Sequence, residues 1–196
     1  MSFRKEKKFR LSLTEAASYK GIMNGVGMKL LFPSRLINSC YFDTRNFQLF
    51  IESEEGVLPR KKIRVRWYDQ TRNFTKETKI SSIEGRFKYS SLMNNLKSTL
   101  DLKTIKIFDK SYGLLFPTII VSYLREYYIL NKMRITFDKN INYRSLYLNK
   151  KKIYDPEVVM EVKVPMSCSD DFIEKHVKIP TSRFSKYSRG MLSIFS

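Results

Sequence analysis

Side chains two apart on a β-strand share a face, so unbroken alternation of polar and apolar residues marks a strand with one covered side. Lys62-Ile63-Arg64-Val65-Arg66-Trp67 alternates without a fault and predicts a strand over Lys61 to Tyr68. Phe3 to Leu11, Phe74 to Ser81, Met133 to Lys139 and Val158 to Val164 read the same way, and Thr118 to Leu130 is rich in β-branched and aromatic residues. Leu36 to Asp43 reads as a strand and Phe47 to Glu52 as a further short one. Asp69 to Asn73 reads as a hairpin turn, and Asn131-Lys132 as a tight one. Ser12 with Glu15 three residues on is a capping box, which starts a helix over Leu13 to Asn24 that ends near Gly25 and Gly27. Tyr89 to Leu102, Ile105 to Tyr112 and Phe172 to Val177 read as helical, Tyr143 to Tyr147 fits neither pattern, and Thr181 to Phe195 reads as helical or irregular. Antiparallel strands with helices inserted between them predict an α+β fold built around an antiparallel β-barrel or a strongly curved sheet.

The polar faces of these strands carry an unusual set of side chains. One face of the first strand holds Arg4, Glu6, Lys8 and Arg10; another strand shows Lys62, Arg64 and Arg66; the next shows Thr75, Glu77 and Lys79. Arg125 sits between Tyr123 and Tyr127 on its face, Arg134 accompanies Thr136 and Asp138, and Glu161 and Lys163 interrupt a run of valines and Met160. A solvated sheet face accounts for any one strand. Six strands repeating Arg, Lys and Glu, with Arg where planar phosphate contacts would be wanted, point to an anion-binding cavity whose apolar outer side packs on helices. Cations crowded in such a cavity repel by about 4 kcal/mol per pair at 4 Å and an effective dielectric of 20, and a triphosphate would turn that repulsion into binding. Glu161, a carboxylate within an apolar strand, needs a partner; a salt bridge to a neighbouring cation and a hard divalent metal both satisfy the pattern.

Composition narrows the partners. The 196 residues suffice for one domain with a core, and 37 Lys plus Arg against 19 Asp plus Glu give a formal net charge of +18. Nucleic acid, an anionic membrane surface and a phosphorylated small molecule are the partners such a charge attracts. No helix-turn-helix, zinc or RNA-recognition pattern is present, and the cations lie on strands, so nucleic acid is not the expected partner. Cys40 and Cys168 have no metal or disulfide spacing, which fits a reducing, cytoplasmic compartment. No apolar run approaches the roughly eighteen residues of a membrane span, and the N-terminus has no secretory apolar region. The one histidine, His176, lies in a polar stretch and reads as a surface residue.

Several ordered segments resemble the catalytic domain of the vacuolar transporter chaperone (VTC) family, polyphosphate polymerases within the triphosphate tunnel metalloenzyme superfamily, which includes the CYTH branch. They are Lys8-Phe9, Tyr41-Phe42-Asp43-Thr44 with Asn46-Phe47 and Leu49, Ile63-Arg64-Val65-Arg66-Trp67-Tyr68, Glu77-Thr78-Lys79, Arg125, Arg134-Ile135-Thr136-Phe137-Asp138, Met160-Glu161-Val162-Lys163, and Arg183-Phe184-Ser185-Lys186-Tyr187 with Gly190. The resemblance covers nearly the whole chain and implies a single tunnel domain over residues 1–196 with a basic interior.

By that resemblance, Arg64, Arg66, Lys79, Arg125 and Arg134 form the catalytic set that holds phosphates, joined by Lys8. Arg10, Lys62 and Lys163 on the same charged faces, and Arg183 and Lys186 from the C-terminal segment, are further phosphate ligands. Glu161 would bind manganese or magnesium, with Glu6 and Glu77 as secondary metal candidates. The implied reaction transfers the γ-phosphoryl group of ATP to a growing polyphosphate chain. The alternatives are a metal-dependent tripolyphosphatase or nucleoside triphosphatase, and a domain that only binds polyphosphate or nucleic acid. Three departures stand out. Arg183 replaces the family's usual Lys. The first strand reads Arg4-x-Glu6-x-Lys8 where the CYTH branch has Glu-x-Glu-x-Lys, which favours the polymerase branch. The phosphate-sensing domain and membrane helices of eukaryotic relatives are not in the sequence, so the chain is expected not to export its own product, and any membrane partner for export is unidentified.

Overall fold

The structure, a computed structural model, describes residues 4–69, 73–148 and 152–195. Phe3, placed in the expected first strand, and residues 70–72 of the expected hairpin turn lie outside the described residues. The strands are β1 Arg4–Leu11, β2 Lys29–Asp43, β3 Arg60–Tyr68, β4 Thr75–Ser82, β5 Gly85–Leu92, β6 Ile107–Asp109, β7 Gly113–Leu130, β8 Met133–Ser145, β9 Ile153–Tyr154 and β10 Val158–Pro165. The helices are α1 Leu13–Gly25, α2 Gln48–Glu55, α3 Phe172–His176 and α4 Lys186–Phe195. Hydrogen bonding orders the sheet β1-β10-β8-β7-β2-β3-β4-β5, with β6 on β7 and β9 on β8. The fold is therefore α+β and antiparallel in character.

The residues group into two compact units. The first comprises residues 1–36, 123–141 and 154–184; the second comprises 37–122, 142–153 and 185–196. Strands β2, β7 and β8 each run through both. In the first unit the apolar faces of β1, β8 and β10 pack together through Phe9, Leu11, Ile135, Phe137, Met160 and Val162, with Ala16 and Met23 of α1. In the second, Phe42, Ile63, Val65, Trp67 and Leu115 make the core with Leu49 of α2.

The alternating segments form the strands expected of them, and the capping box is present: the Ser12 hydroxyl accepts from the Glu15 N–H at 3.1 Å, and the Glu15 carboxylate accepts from the Ser12 N–H at 2.7 Å. Strands β2, β7 and β8 run longer than the sequence pattern predicts, and β8 takes in Tyr143.

Three elements differ in type. Phe47 to Glu52, expected as a strand, lies in and before α2. The Asp43 carboxylate accepts from the N–H groups of Leu49 and Phe50, both at 2.9 Å, and so satisfies the helix's first donors from outside it. Leu49 and Ser53, four apart, are the buried pair. Tyr89 to Leu102, expected as a helix, instead contributes the end of β5 and an irregular segment closed by a 3₁₀ turn at Asp101–Lys103. Here β5 returns against β4 through the two-residue turn Ile83-Glu84, and Gly85 just after it has φ +140°, a conformation that side chains disfavour. Ile105 to Tyr112, also expected as helical, contains β6, where buried Ile107 alternates with exposed Phe108 and pairs with Leu115.

The last helix fits tightly. A Cβ at Gly190 would lie 2.6 Å from Ile119 Cδ1 and 2.7 Å from Tyr143 Cδ1. Gly190→Ala is expected to destabilise the protein by about 1–3 kcal/mol through overpacking. Urea unfolding would show it as a lower midpoint at unchanged slope; an unchanged midpoint would mean that α4 can shift at no cost.

Candidate phosphate-binding site

In the second unit the strand register builds one charged face from three strands. Lys62, Arg64 and Arg66 of β3 lie opposite Lys79, Glu77 and Thr75 of β4, and Lys79 lies opposite Lys88 of β5. Three lysines, Lys62, Lys79 and Lys88, thus share one cross-strand row, an arrangement that like-charge repulsion disfavours. Below them Glu77 is the counter-ion. Its carboxylate meets Arg64 at 2.6 Å, Lys88 at 2.5 Å and Arg66 at 3.5 Å. Burial pushes the Glu77 carboxyl up, but these cations outweigh it and bring its pKa down to about 2. Arg66 and Glu77 are buried and the Arg64 side chain is only 11% exposed, so the arginine end of this face is shielded from bulk water, while Lys79 and Lys88 are exposed. Arg64 also donates to the Tyr41 hydroxyl at 3.0 Å, and Arg66 to the Ser39 hydroxyl at 3.3 Å.

The C-terminal motif is held against the same unit. Lys62 donates to the Ser185 hydroxyl at 2.8 Å, next to Lys186 at the start of α4. Tyr187 stacks on Tyr41 with ring centres 4.7 Å apart and donates to Asp43 at 2.6 Å. The same carboxylate caps α2. Burial raises the Asp43 carboxyl above its ordinary value against the pull of Tyr187 and the backbone donors. The Tyr41-Phe42-Asp43 and Ser185-Lys186-Tyr187 segments are therefore one assembly: Asp43 fixes Tyr187, Tyr187 stacks on Tyr41, and Tyr41 receives Arg64.

In the first unit, β1, β10 and β8 present a grid of side chains. One row is Glu6, Lys163 and Arg134; the next is Lys8, Glu161 and Thr136; the third is Arg10, Val159 and Asp138. Lys163 lies 2.8 Å from Glu161 and 3.2 Å from Glu6, and Lys8 lies 3.7 Å from Glu6. Arg125 grips Asp138 with two bonds, at 2.5 and 2.7 Å, and lies over the Tyr123 ring. Burial would raise the Glu161 carboxyl; Lys163, Arg125 and Lys8 nevertheless hold it well below the usual carboxylate range. It stays ionised, as a metal ligand must.

The donor chemistry fits a hard divalent cation at Glu161 and Glu6. Both carboxylates already converge on one point cation, the Lys163 ammonium. Among the described residues no three His, Cys, Asp or Glu side chains form a metal cluster. Magnesium-like binding asks for only one or two carboxylates, with phosphate and water completing the ion's shell. Glu77, the other secondary candidate, lies in the second unit among Arg64, Arg66 and Lys88, much as Glu161 lies among Lys163, Arg125 and Lys8.

The remaining expected ligands lie as follows. Arg10 is exposed and pairs with Glu157 through two bonds, at 2.8 and 2.7 Å. Lys79 and Arg183 are exposed and Lys186 is half-buried. Arg134 lies over the Tyr127 ring. Lys8 donates to the Phe184 carbonyl at 3.1 Å, and its own carbonyl accepts from the Ser182 N–H at 2.8 Å, so the segment before α4 is tied to β1. His176 is exposed, and Cys40 and Cys168 are buried and free. Sequence reasoning missed Lys88, because its segment was read partly as a helix, and gave no role to Tyr41 or Asp43; alternation from Arg86 through Lys88 to Ser90 was the available signal for Lys88.

Among the described residues, no helix is long and apolar enough to cross a membrane. No curated protein matches the chain. Solved structures share its fold at low identity. A candidate adenylate cyclase from Bacillus halodurans is 14% identical with a TM-score of 0.59, over 98% of this chain and 99% of that one. One from Vibrio parahaemolyticus is 11% identical with a TM-score of 0.54, over 98% of each chain. A candidate adenylyl cyclase from Hippeastrum, described as having a dominant triphosphatase activity, is 14% identical with a TM-score of 0.53 over 96% of each chain. These are CYTH-like triphosphate tunnel proteins, and the fold of this chain is theirs. The family model of the VTC domain matches residues 3–195, which is nearly the entire sequence and includes every charged strand described above. The chain belongs to the VTC domain family.

Proposed function

We propose that this chain, working as one domain over residues 1–196, is a divalent-metal-dependent phosphotransferase that moves the γ-phosphoryl group of ATP onto the end of a polyphosphate chain. The observation that carries this reading is the charged face of the second unit: Lys62, Arg64, Arg66, Lys79 and Lys88 on three adjacent strands, with Glu77 as the carboxylate among them. A face so arranged is self-repelling when empty and attractive to a polyanion. Successive cations suit successive phosphates along a chain.

Catalysis in this reading is alignment and charge stabilisation. The Arg64 and Arg66 guanidinium groups offer paired N–H donors to non-bridging phosphate oxygens. Lys62, Lys79 and Lys88 hold neighbouring phosphates as point charges. Arg125 is kept in one orientation by Asp138, and its charge is secure because burial, which lowers its pKa, is outweighed by that carboxylate. A terminal phosphate oxygen of the acceptor attacks the γ-phosphorus, the bond to the β-γ bridging oxygen breaks, and ADP leaves. The cations of the second unit's face stabilise the charge spread over the transferring group. A manganese or magnesium ion held by Glu161 and Glu6 would neutralise charge on phosphate oxygens there. No covalent nucleophile is required.

The second reading keeps the same phosphate ligands and makes water the acceptor. It is favoured by the fold shared with the Hippeastrum protein. Purified protein with ATP and manganese separates the two. Long polyphosphate on a gel, with ADP released, is the expected result; free phosphate without chains would establish the hydrolase instead. Neither product, with tripolyphosphate still bound, would leave a binding domain. Oligonucleotide binding that tripolyphosphate does not displace would overturn both readings.

A further inference from the structure

Thr136 lies at the centre of β8, directly across from Glu161 and two residues from both Arg134 and Asp138. It is only 4% exposed, and its hydroxyl has no hydrogen-bond partner. A buried hydroxyl without a partner costs about 1–3 kcal/mol, so natural proteins rarely leave one. Valine has nearly the same shape, suits a strand better and carries no such cost. The apolar neighbours Ile135 and Phe137 point to the opposite face, so packing there does not call for a hydroxyl at 136. Its own face, by contrast, is built of ligand chemistry: Glu161 beside it, Lys8 beyond Glu161 in the same row, and the row of Glu6, Lys163 and Arg134 next to it.

We propose that the Thr136 hydroxyl is a binding group for the ligand held at Glu161, donating a hydrogen bond to an oxygen in the shell of the divalent cation. The inference rests on the reading of Glu161 as a metal ligand. A carboxylate binds the ion itself, whereas a hydroxyl that both donates and accepts is suited to orienting the oxygen next to it. That oxygen is either a metal-bound water or a phosphate oxygen. Thr136 acts through the bound oxygen and is a positioning residue. The cost of its unmet hydrogen bond is relieved when the site fills.

Three variants test this: Thr136→Val, Thr136→Ser and Glu161→Gln. Each is measured for thermal stability without ligand, for Mn²⁺ binding by electron paramagnetic resonance, and for tripolyphosphate binding in the presence of Mn²⁺ by calorimetry. Thr136→Val is expected to melt at or above the wild-type temperature, because it removes an unsatisfied polar group. It should nonetheless bind the ligand about tenfold more weakly, the effect of one lost bond to a charged shell. Loss with Mn²⁺ alone identifies the oxygen as water, and loss only with tripolyphosphate present identifies it as phosphate. Thr136→Ser should restore binding. Thr136→Val with wild-type affinity in both arms, while Glu161→Gln loses Mn²⁺, would overturn the role of Thr136 and leave the metal site standing. Wild-type Mn²⁺ affinity in Glu161→Gln would overturn the metal site and this inference together.

Discussion

Alanine at both Arg64 and Arg66 is expected to weaken tripolyphosphate binding by about 10³-fold. Hydrogen bonds to charged groups are each worth about 1.5–3 kcal/mol, so two lost guanidinium contacts amount to roughly 4 kcal/mol. The two arginines project from the same face of β3, and both are largely shielded from water, where charge–charge attraction is least screened. Glu77 keeps Lys88 as a partner in the double variant, so the buried carboxylate is not left alone. Calorimetric titration with tripolyphosphate, at a temperature where circular dichroism shows the variant folded, gives the answer. Wild-type affinity would mean that phosphate does not bind at this face.

Glu77→Ala is expected to be the most destabilising single change, by about 3–5 kcal/mol at neutral pH. The loss comes chiefly from stranding Arg64, Arg66 and Lys88 beside one another without their carboxylate. Saturating tripolyphosphate should recover much of it, because ligand at 100 times its dissociation constant adds about 2.7 kcal/mol to the folded state. Acid unfolding supplies an independent check. Since the Glu77 pKa is lowered from 4.5 to about 2 in the folded protein, its stabilising contribution is complete above pH 4.5 and fades as pH falls toward 2. The variant should show a shallower loss of stability across that window, with the slope that remains coming from other depressed carboxylates such as Glu161. Wild-type stability at neutral pH and an unchanged acid slope would show that the arginines have no need of this partner.

The charged faces could be read from sequence because period-two alternation is a local property. Lys62, Arg64 and Arg66 announce their shared face within five residues, as do Glu77 and Lys79. The cross-strand register is not local, so neither the single row of Lys62, Lys79 and Lys88 nor the pairing of Arg125 with Asp138 could be read from either segment alone. The misread helices have the same origin. Phe47, Leu49 and Ile51 alternate like a strand, yet a carboxylate at position 43, itself held by Tyr187, caps this stretch as α2. Strand β5 lacks a buried face, with Tyr89 and Leu92 exposed, so its polar–apolar alternation covers no core and is a weaker signal than its pairing with β4. Thr136 belonged to a motif whose residues were legible, but a hydroxyl's lack of a partner appears only once the neighbours are in place.

The bonds that tie the C-terminal motif down span most of the chain: 176 residues from Lys8 to Phe184, 144 from Asp43 to Tyr187 and 123 from Lys62 to Ser185. During vectorial synthesis, at about 5–20 residues per second, the early strands leave the ribosome many seconds before their final partners exist. Their cationic faces must wait as nascent polypeptide, beside ribosomal RNA, until residue 187 emerges. Loop closures of this length also place the locking of α4 late and slow in folding. A translation product halted before Ser182 would carry most of the positive charge and none of the clasp.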